Sequence, residues 1–238
     1  ALADKMETLI GLFGIGQMPT GEKDPFALRR HALGVLRMLI EKALPVSLNT
    51  LIDAAWEAEK AVPGVTDHRE ELRQFFQDRL RVMLRDAGYT TLEVDAVLAL
   101  NPEKLDELPK RLAAVRAFMA LPEAEALTAA NKRIGNILKK IEGEVPTVVN
   151  EALLAEDAEK QLFAAINDVE PKALQHFAAG EYEQMLATLA VLRGPVDSFF
   201  DNVMVNAEDP ALRATRQALL KRLYDVMNKV AEIARLAK

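Results

Sequence analysis

Cysteine is absent from the 238 residues, which excludes disulfides and thiolate chemistry. Aromatic residues make up only 5% of the chain, with a single Trp, while half of all residues are apolar. The core must therefore be aliphatic, built from the abundant Leu and Ala, and together with a modest 11 Gly and 11 Pro this composition predicts an all-α protein. No stretch alternates apolar and polar residues with period two, so no sheet is expected. No run of about 18 apolar residues occurs, so no membrane span is expected. No charged segment precedes a short apolar one, so no signal peptide is expected either. Acidic residues outnumber basic ones, 36 to 30, and the net charge is −6. Binding of nucleic acid would then require a local basic patch. The chain opens Ala1-Leu2-Ala3-Asp4, already in helical pattern and without Met, and reads as a fragment of a longer polypeptide.

Recognisable catalytic chemistry is missing as well. His31, His68 and His176 lie in separate segments, and none forms a His-x-x-x-His pair. Asp67-His68 has the wrong order for a His-Asp metal motif, and there is no Gly-x-Ser-x-Gly elbow. The glycines at 14, 16 and 21 follow no strand and match no nucleotide-loop fingerprint. The expectation is no catalytic residue, no metal site and no cofactor in this chain.

What is present is a series of apolar stripes at helical spacing, punctuated by caps. Leu2, Met6, Leu9, Ile10 and Phe13 form the first. Asp24-Pro25 reads as a cap followed by a first-turn proline, opening a helix through Phe26, Leu33, Leu36, Leu39 and Ile40. Arg29, Arg30 and Arg37 on it are expected to ion-pair within the fold. Ser47 opens the next helix, whose Trp56 is expected in the core. Thr66 or Asp67 caps the following helix, with Glu70 placed for a capping box from Asp67, ahead of Leu72, Phe75, Phe76, Met83 and Leu84. A short helix follows over 91–100. Asn101-Pro102 is a third cap-plus-proline junction and marks a domain boundary, giving two packed helical-bundle domains, 1–100 and 101–238. In the second, Pro109 interrupts a helical stretch, so that 102–121 reads as a turn plus a helix, Pro122 opens a helix to about Ile141, Pro171 breaks the helix that resumes at Leu154, and Gly194-Pro195 closes another.

The corner at Val203-Met204-Val205-Asn206 precedes a strongly marked helix start. Asp209 can accept hydrogen bonds from the free N–H groups of the first turn, and Pro210 needs no donor there. From Pro210 the pattern is helical to the end, with Leu212, Leu219, Leu223, Val226, Val230 and Ile233 on one side. Arg213, Gln217, Lys221, Tyr224 and Asn228 share the opposite side, mixing charge, amide and an aromatic ring. Arg216 lies on the flank of the apolar stripe, where a guanidinium is costly unless paired, and is expected to clamp a carboxylate or carbonyl of a neighbouring helix. The densest basic face is on the helix after Pro122, with Lys132, Arg133, Asn136, Lys139 and Lys140. Both faces can be plain solvated surface. Phosphate contact needs the charges and base-edge contact needs the amides, which makes them the candidate RNA-binding residues: Lys132, Arg133, Asn136, Lys139, Arg213, Gln217, Lys221 and Tyr224.

Glu208-Asp209-Pro210-Ala211-Leu212-Arg213, with Arg216 and Leu219-Leu220 after it, resembles the DALR-type anticodon-binding domain of aminoacyl-tRNA synthetases. Ala1 to Leu9, Phe13-Gly14-Ile15-Gly16-Gln17, Pro19-Thr20-Gly21, Lys23 to Arg30 and Leu33-Gly34-Val35-Leu36-Arg37 resemble the beta subunit of bacterial heterotetrameric glycyl-tRNA synthetase. The resemblance implies that residues 1–100 are the last part of an HD-like helical domain and 101–238 an anticodon-binding bundle. Asp4 matches the last metal-ligand Asp of an HD fold, without its histidine partners. It also implies a cytoplasmic alpha2beta2 assembly in which the alpha subunit uses ATP and Mg to glycylate tRNA-Gly, while this part grips the anticodon arm and holds no active site. Two alternatives stand beside it: a fragment of an HD-type metal-dependent phosphohydrolase, and a purely structural helical module that docks other subunits.

Overall fold

The computed structural model describes residues 1–237, and among them the secondary structure is helical throughout, apart from an isolated bridge between Thr20 and Lys23. The chain divides into two compact units: Ala1–Val94 with Asn101–Pro109, and Asp95–Leu100 with Lys110 to the last described residue.

The first unit packs Leu2–Gly14 (α1), Leu28–Glu41 (α2), Leu48–Glu59 (α3) and Arg69–Asp86 (α4). The first stripe is buried as its spacing predicts: Met6, Leu9, Ile10 and Phe13 all lie in the core. Gly14 is required where α1 ends, because a Cβ there would come within 2.5 Å of the Val65 side chain. The Gly14 carbonyl accepts from both the backbone and the hydroxyl of Thr66, at 2.9 and 3.0 Å.

Several local expectations are corrected in this unit. Asp24 does cap α2, accepting from Leu28 N at 2.8 Å and Arg29 N at 3.0 Å. The helix nevertheless begins only at Leu28, because Ala27 is left-handed (φ 55°), and Phe26 lies outside the helix and is exposed. The Asp67–Glu70 capping box does not form. The Asp67 carboxylate is occupied by the Arg69 guanidinium, α4 starts a residue later than the box requires, and Glu70 is left exposed. Trp56 is half-buried rather than core, with the Arg69 guanidinium 5.6 Å from its ring centre. Arg29 donates to the Gly21 carbonyl instead of ion-pairing, and Arg30 and Arg37 are exposed.

Arg69 bridges Asp67 and Asp53, with N–O distances of 2.8 Å to each. Its side chain, and then its backbone N–H, hold the Asp67 carboxyl down from 3.8 to about 2. A carboxyl depressed on folding stabilises the fold above its unfolded pKa, and that contribution disappears as the pH falls through the folded value. The urea midpoint followed by Trp56 fluorescence is therefore expected to drop between about pH 4 and pH 2, and Arg69→Gln is expected to flatten that drop. Identical profiles for the two proteins would refute the linkage.

Thr91–Leu98 (α5) is capped by reciprocal bonds: Thr90 N donates to the Glu93 carboxylate at 2.6 Å and Glu93 N to the Thr90 hydroxyl at 3.2 Å. The second unit holds the end of α5, Leu108–Met119 (α6) from Lys110 on, Ala124–Leu138 (α7), Asp157–Ala178 (α8), Tyr182–Thr188 (α9), Arg193–Asn202 (α10) and Pro210–Met227 (α11). Its core is mainly aliphatic, with Leu162, Ile166, Leu186, Leu219, Leu220 and Leu223 fully buried, as are the rings of Phe118 and Phe199.

The turn plus helix expected over 102–121 is present, as the 3-10 turn Leu105–Glu107 followed by α6, with Pro109 in the first turn of α6. Other prolines behave differently here from what their positions in the sequence suggest. Pro195 likewise lies in the first turn of α10, where the leading N–H groups have no partner within the helix in any case. Pro171 sits inside α8 without ending it. It lies on the exposed side, and the buried Ile166, Val169 and Ala173 on either side keep one continuous face in the core, outweighing the lost backbone bond. The last helix stops at Met227, short of the end of the pattern. Asn228 turns the chain: its side chain donates to the Tyr224 carbonyl at 2.8 Å and accepts from Ile233 N at 3.0 Å. Val230 and Ile233 are buried as expected, but from a turn and the 3-10 segment Ile233–Leu236, which packs on α7.

Candidate functional site

The site is built from the corner between α10 and α11 and from the outer face of α7. Val203 and Val205 alternate into the core while Met204 points out, so the corner is extended and anchored at two points. Two arginines of α11 then fasten its carbonyls. Arg216 Nη1 donates to Met204 O at 2.7 Å, and Arg213 Nη1 donates to Ala207 O at 3.0 Å. Asp209 caps the helix start, accepting from Ala211 N at 2.7 Å and Leu212 N at 3.2 Å. Each charged residue of the Asp209–Arg216 stretch thus shapes the corner.

The clamp expected of Arg216 is present. Its Nε donates to the carboxylate of Glu159, and both residues are buried. The other oxygen of Glu159 accepts from Ala155 N at 2.9 Å and Glu156 N at 2.8 Å, so the same carboxylate caps α8 and pairs with α11. A buried ion pair with its remaining valences satisfied in this way is tolerated in a low-dielectric interior.

The fastened corner places Asn206 beside α7. A groove of about 500 Å³ lies there, lined by Ala129, Lys132, Arg133, Asn136, Ile137, Lys140, Ile141, Asn206 and Gln217. Three of its lining residues are cations, three are amides and none is acidic. Lys132, Arg133, Asn136 and Lys140 are exposed, and Gln217 is half-buried. The Arg133 guanidinium carbon lies 4.1 Å from the ring centre of Phe200, which in turn packs edge-on against the buried Phe199 at 5.6 Å.

The structure thus brings four of the predicted residues together: Lys132, Arg133 and Asn136 from α7 with Gln217 from α11. The other four stand apart from the groove. Lys139 is exposed at the end of α7. Arg213 is half-buried in the corner, and Lys221 pairs with Asp225 one turn on. Tyr224 is half-buried against Gly135, where a Cβ would sit 3.2 Å from the ring. Burial, and then the carboxylates of Glu232 and Asp225, push its phenol up, so it remains a neutral hydrogen-bond donor at neutral pH. The opposite side of α11 is therefore partly covered by α7, because a helix at the middle of a bundle is packed on more than one face. Sequence reading missed Phe200, which α10 brings to α7, and Asn206, which the corner places there. Lys140 was visible in the basic run but is not among the eight candidates.

No three metal-ligating side chains stand together among the described residues. Asp4 is exposed on α1, and His68 and His176 sit next to Glu71 and Glu181 respectively. Among the described residues no helix is long and apolar enough to cross a membrane.

Two family models match the chain, "Glycyl-tRNA synthetase beta subunit" over residues 1–99 and "DALR anticodon binding domain" over residues 127–234. Proteins called glycine–tRNA ligase beta subunit are similar over the whole chain: 63% identical in Leptothrix cholodnii, where the match covers 33% of that protein, and 57% in Thiobacillus denitrificans, where it covers 34%. The relative from Delftia acidovorans is also 57% identical, over 33% of its length. The chain spans about a third of the length of the curated relatives it matches. With one family model over its first part, a DALR-type anticodon-binding domain over its second and such relatives along its full length, the chain belongs to the glycyl-tRNA synthetase beta subunit family.

Proposed function

We propose that the second unit grips the anticodon arm of tRNA-Gly, as the RNA-recognition part of a glycine–tRNA ligase beta subunit. In this reading residues 1–100 are the last part of an HD-like helical domain, and 101–238 form the anticodon-binding bundle. Together they make the C-terminal region of a beta subunit that works in the cytoplasm in an alpha2beta2 assembly. The alpha subunit carries the ATP- and Mg-dependent glycylation, and binding here orients the distant acceptor end toward it. The observation that carries the reading is the convergence of Lys132, Arg133 and Lys140 with Asn136, Asn206 and Gln217 on one groove free of acidic lining. In a chain of net charge −6, such a local grouping supplies what an RNA loop demands: cations for phosphates and amides for exposed base edges.

The test is an electrophoretic shift titration of the 238-residue chain with tRNA-Gly and with the same tRNA carrying another anticodon. The native anticodon is expected to bind more tightly, with strong salt dependence. Lys132→Gln with Lys140→Gln is expected to lower affinity about 10-fold and to flatten the slope of log K against log salt by about 0.7 for each phosphate no longer neutralised. The paired change Arg213→Glu and Lys221→Glu probes the α11 face in the same assay. Equal affinity for both tRNAs would sink anticodon reading, and an unaffected lysine variant would sink the groove as its place.

A further inference from the structure

We infer that the groove between α7 and the α10–α11 corner is a seat for one unpaired nucleobase, with the Arg133 guanidinium, laid on Phe200, as the surface on which that base stacks. The inference rests on the RNA-binding reading above and specifies how the same groove would hold its ligand. Three features carry it. The first is the layering of side chains. Phe199 is fully buried, Phe200 packs on it edge-on, and Arg133 lies over Phe200 at 4.1 Å, so a planar cation is held from beneath by the core. Arg133 thus lies over the Phe200 ring and is at the same time an exposed lining residue of the groove. Arginine suits this place as lysine would not, because its plane stacks on a ring and on a base alike.

The second feature is the set of amides. Asn136, Asn206 and Gln217 line the groove from α7, the corner and α11 respectively. A carboxamide offers a donor and an acceptor side by side, the complement of a base edge that presents one of each. The third is size and charge. About 500 Å³ falls within the range of small-ligand sites, and Lys132 and Lys140 supply cations for the phosphates that flank a seated nucleotide. Phosphate binding alone would need the lysines but neither the stacked arginine nor the three amides. Stacking on an aromatic or guanidinium surface tolerates any base, whereas the amides favour one edge over another.

The experiment measures affinity of the 238-residue chain for the tRNA-Gly anticodon stem-loop and for a set of stem-loops with one abasic loop position each. Arg133→Lys keeps the charge and removes the plane. Affinity for the intact loop is expected to fall roughly 10-fold, the effect of losing one stacked base, with an unchanged salt slope. One abasic position is expected to cost the wild-type chain a similar factor and to cost the Arg133→Lys variant nothing further. Phe200→Leu, which keeps an apolar side chain but removes the ring under the guanidinium, should reproduce the Arg133→Lys pattern. A flat abasic scan, or Arg133→Lys binding as tightly as wild type, would overturn the seat while leaving RNA binding by the groove intact. No binding of the intact stem-loop by the wild-type chain would overturn both.

Discussion

Arg216→Ala is expected to lower the unfolding free energy of the second unit by about 3–5 kcal/mol, the cost of leaving a buried charge without its partner. Both members of the pair are out of water: Arg216 is 5% exposed and Glu159 is 0% exposed. Removing the guanidinium leaves Glu159 with only the N–H groups of Ala155 and Glu156 and frees the Met204 carbonyl it clamps. Solvent screening, which makes exposed ion pairs nearly worthless, does not operate at this depth. Urea denaturation followed by far-UV ellipticity, or exchange protection of α8 and α11 amides, reads the loss. Trp56, the only Trp, lies in the first unit and does not report on it. Adding Glu159→Gln to Arg216→Met should recover part of the loss by removing the stranded charge. A loss below about 1 kcal/mol for Arg216→Ala, the range of an exposed pair, would show that the clamp does not hold the corner.

Phe199→Ala is expected to cost the same unit about 3–5 kcal/mol, the range for truncating a buried aromatic residue. Phe199 is fully buried in a core with few rings, on a helix, α10, that packs on α8. The change also removes the support under Phe200, so affinity for RNA should fall at temperatures where the variant remains folded. Phe199→Leu should be milder on stability, since much of the volume is kept. Exchange protection along α8 and α10 that is unchanged in Phe199→Ala would contradict a central place for this residue in the core.

Much of this is readable along the chain. The stripe Met6, Leu9, Ile10 and Phe13 is buried in the order its period implies, and Asp209 caps α11 as its place before Pro210 demands. Arg216 could be marked as an internal clamp because a guanidinium at the edge of an apolar stripe has few other stable states. The prolines misled for a physical reason. A proline costs a helix little in its first turn or on an exposed side whose opposite face is well buried, and neither condition is visible locally. Pro171 and Pro195 each fall under one of these two conditions. The Asp67–Glu70 box failed because the Arg69 side chain, two residues along, took the carboxylate, a local competition that the box pattern alone does not weigh. Exposure of the second face of α11 failed as an expectation because helix period says which residues share a face, not which neighbour covers it.

From the sequence alone came the all-helical class, the aliphatic core, the cap at Asp209, the buried role of Arg216 and the family, since all of these depend on residue types and spacings along the chain. Only the tertiary structure could decide which half of the candidate surface forms a groove, that Asn206 and Phe200 belong beside Arg133, and that Arg213 holds a carbonyl of its own corner. Those depend on how α7 and α11 approach one another around the corner. A side chain's partners are set by distances through space, and residues about 70 positions apart share a groove only once a core has closed behind them.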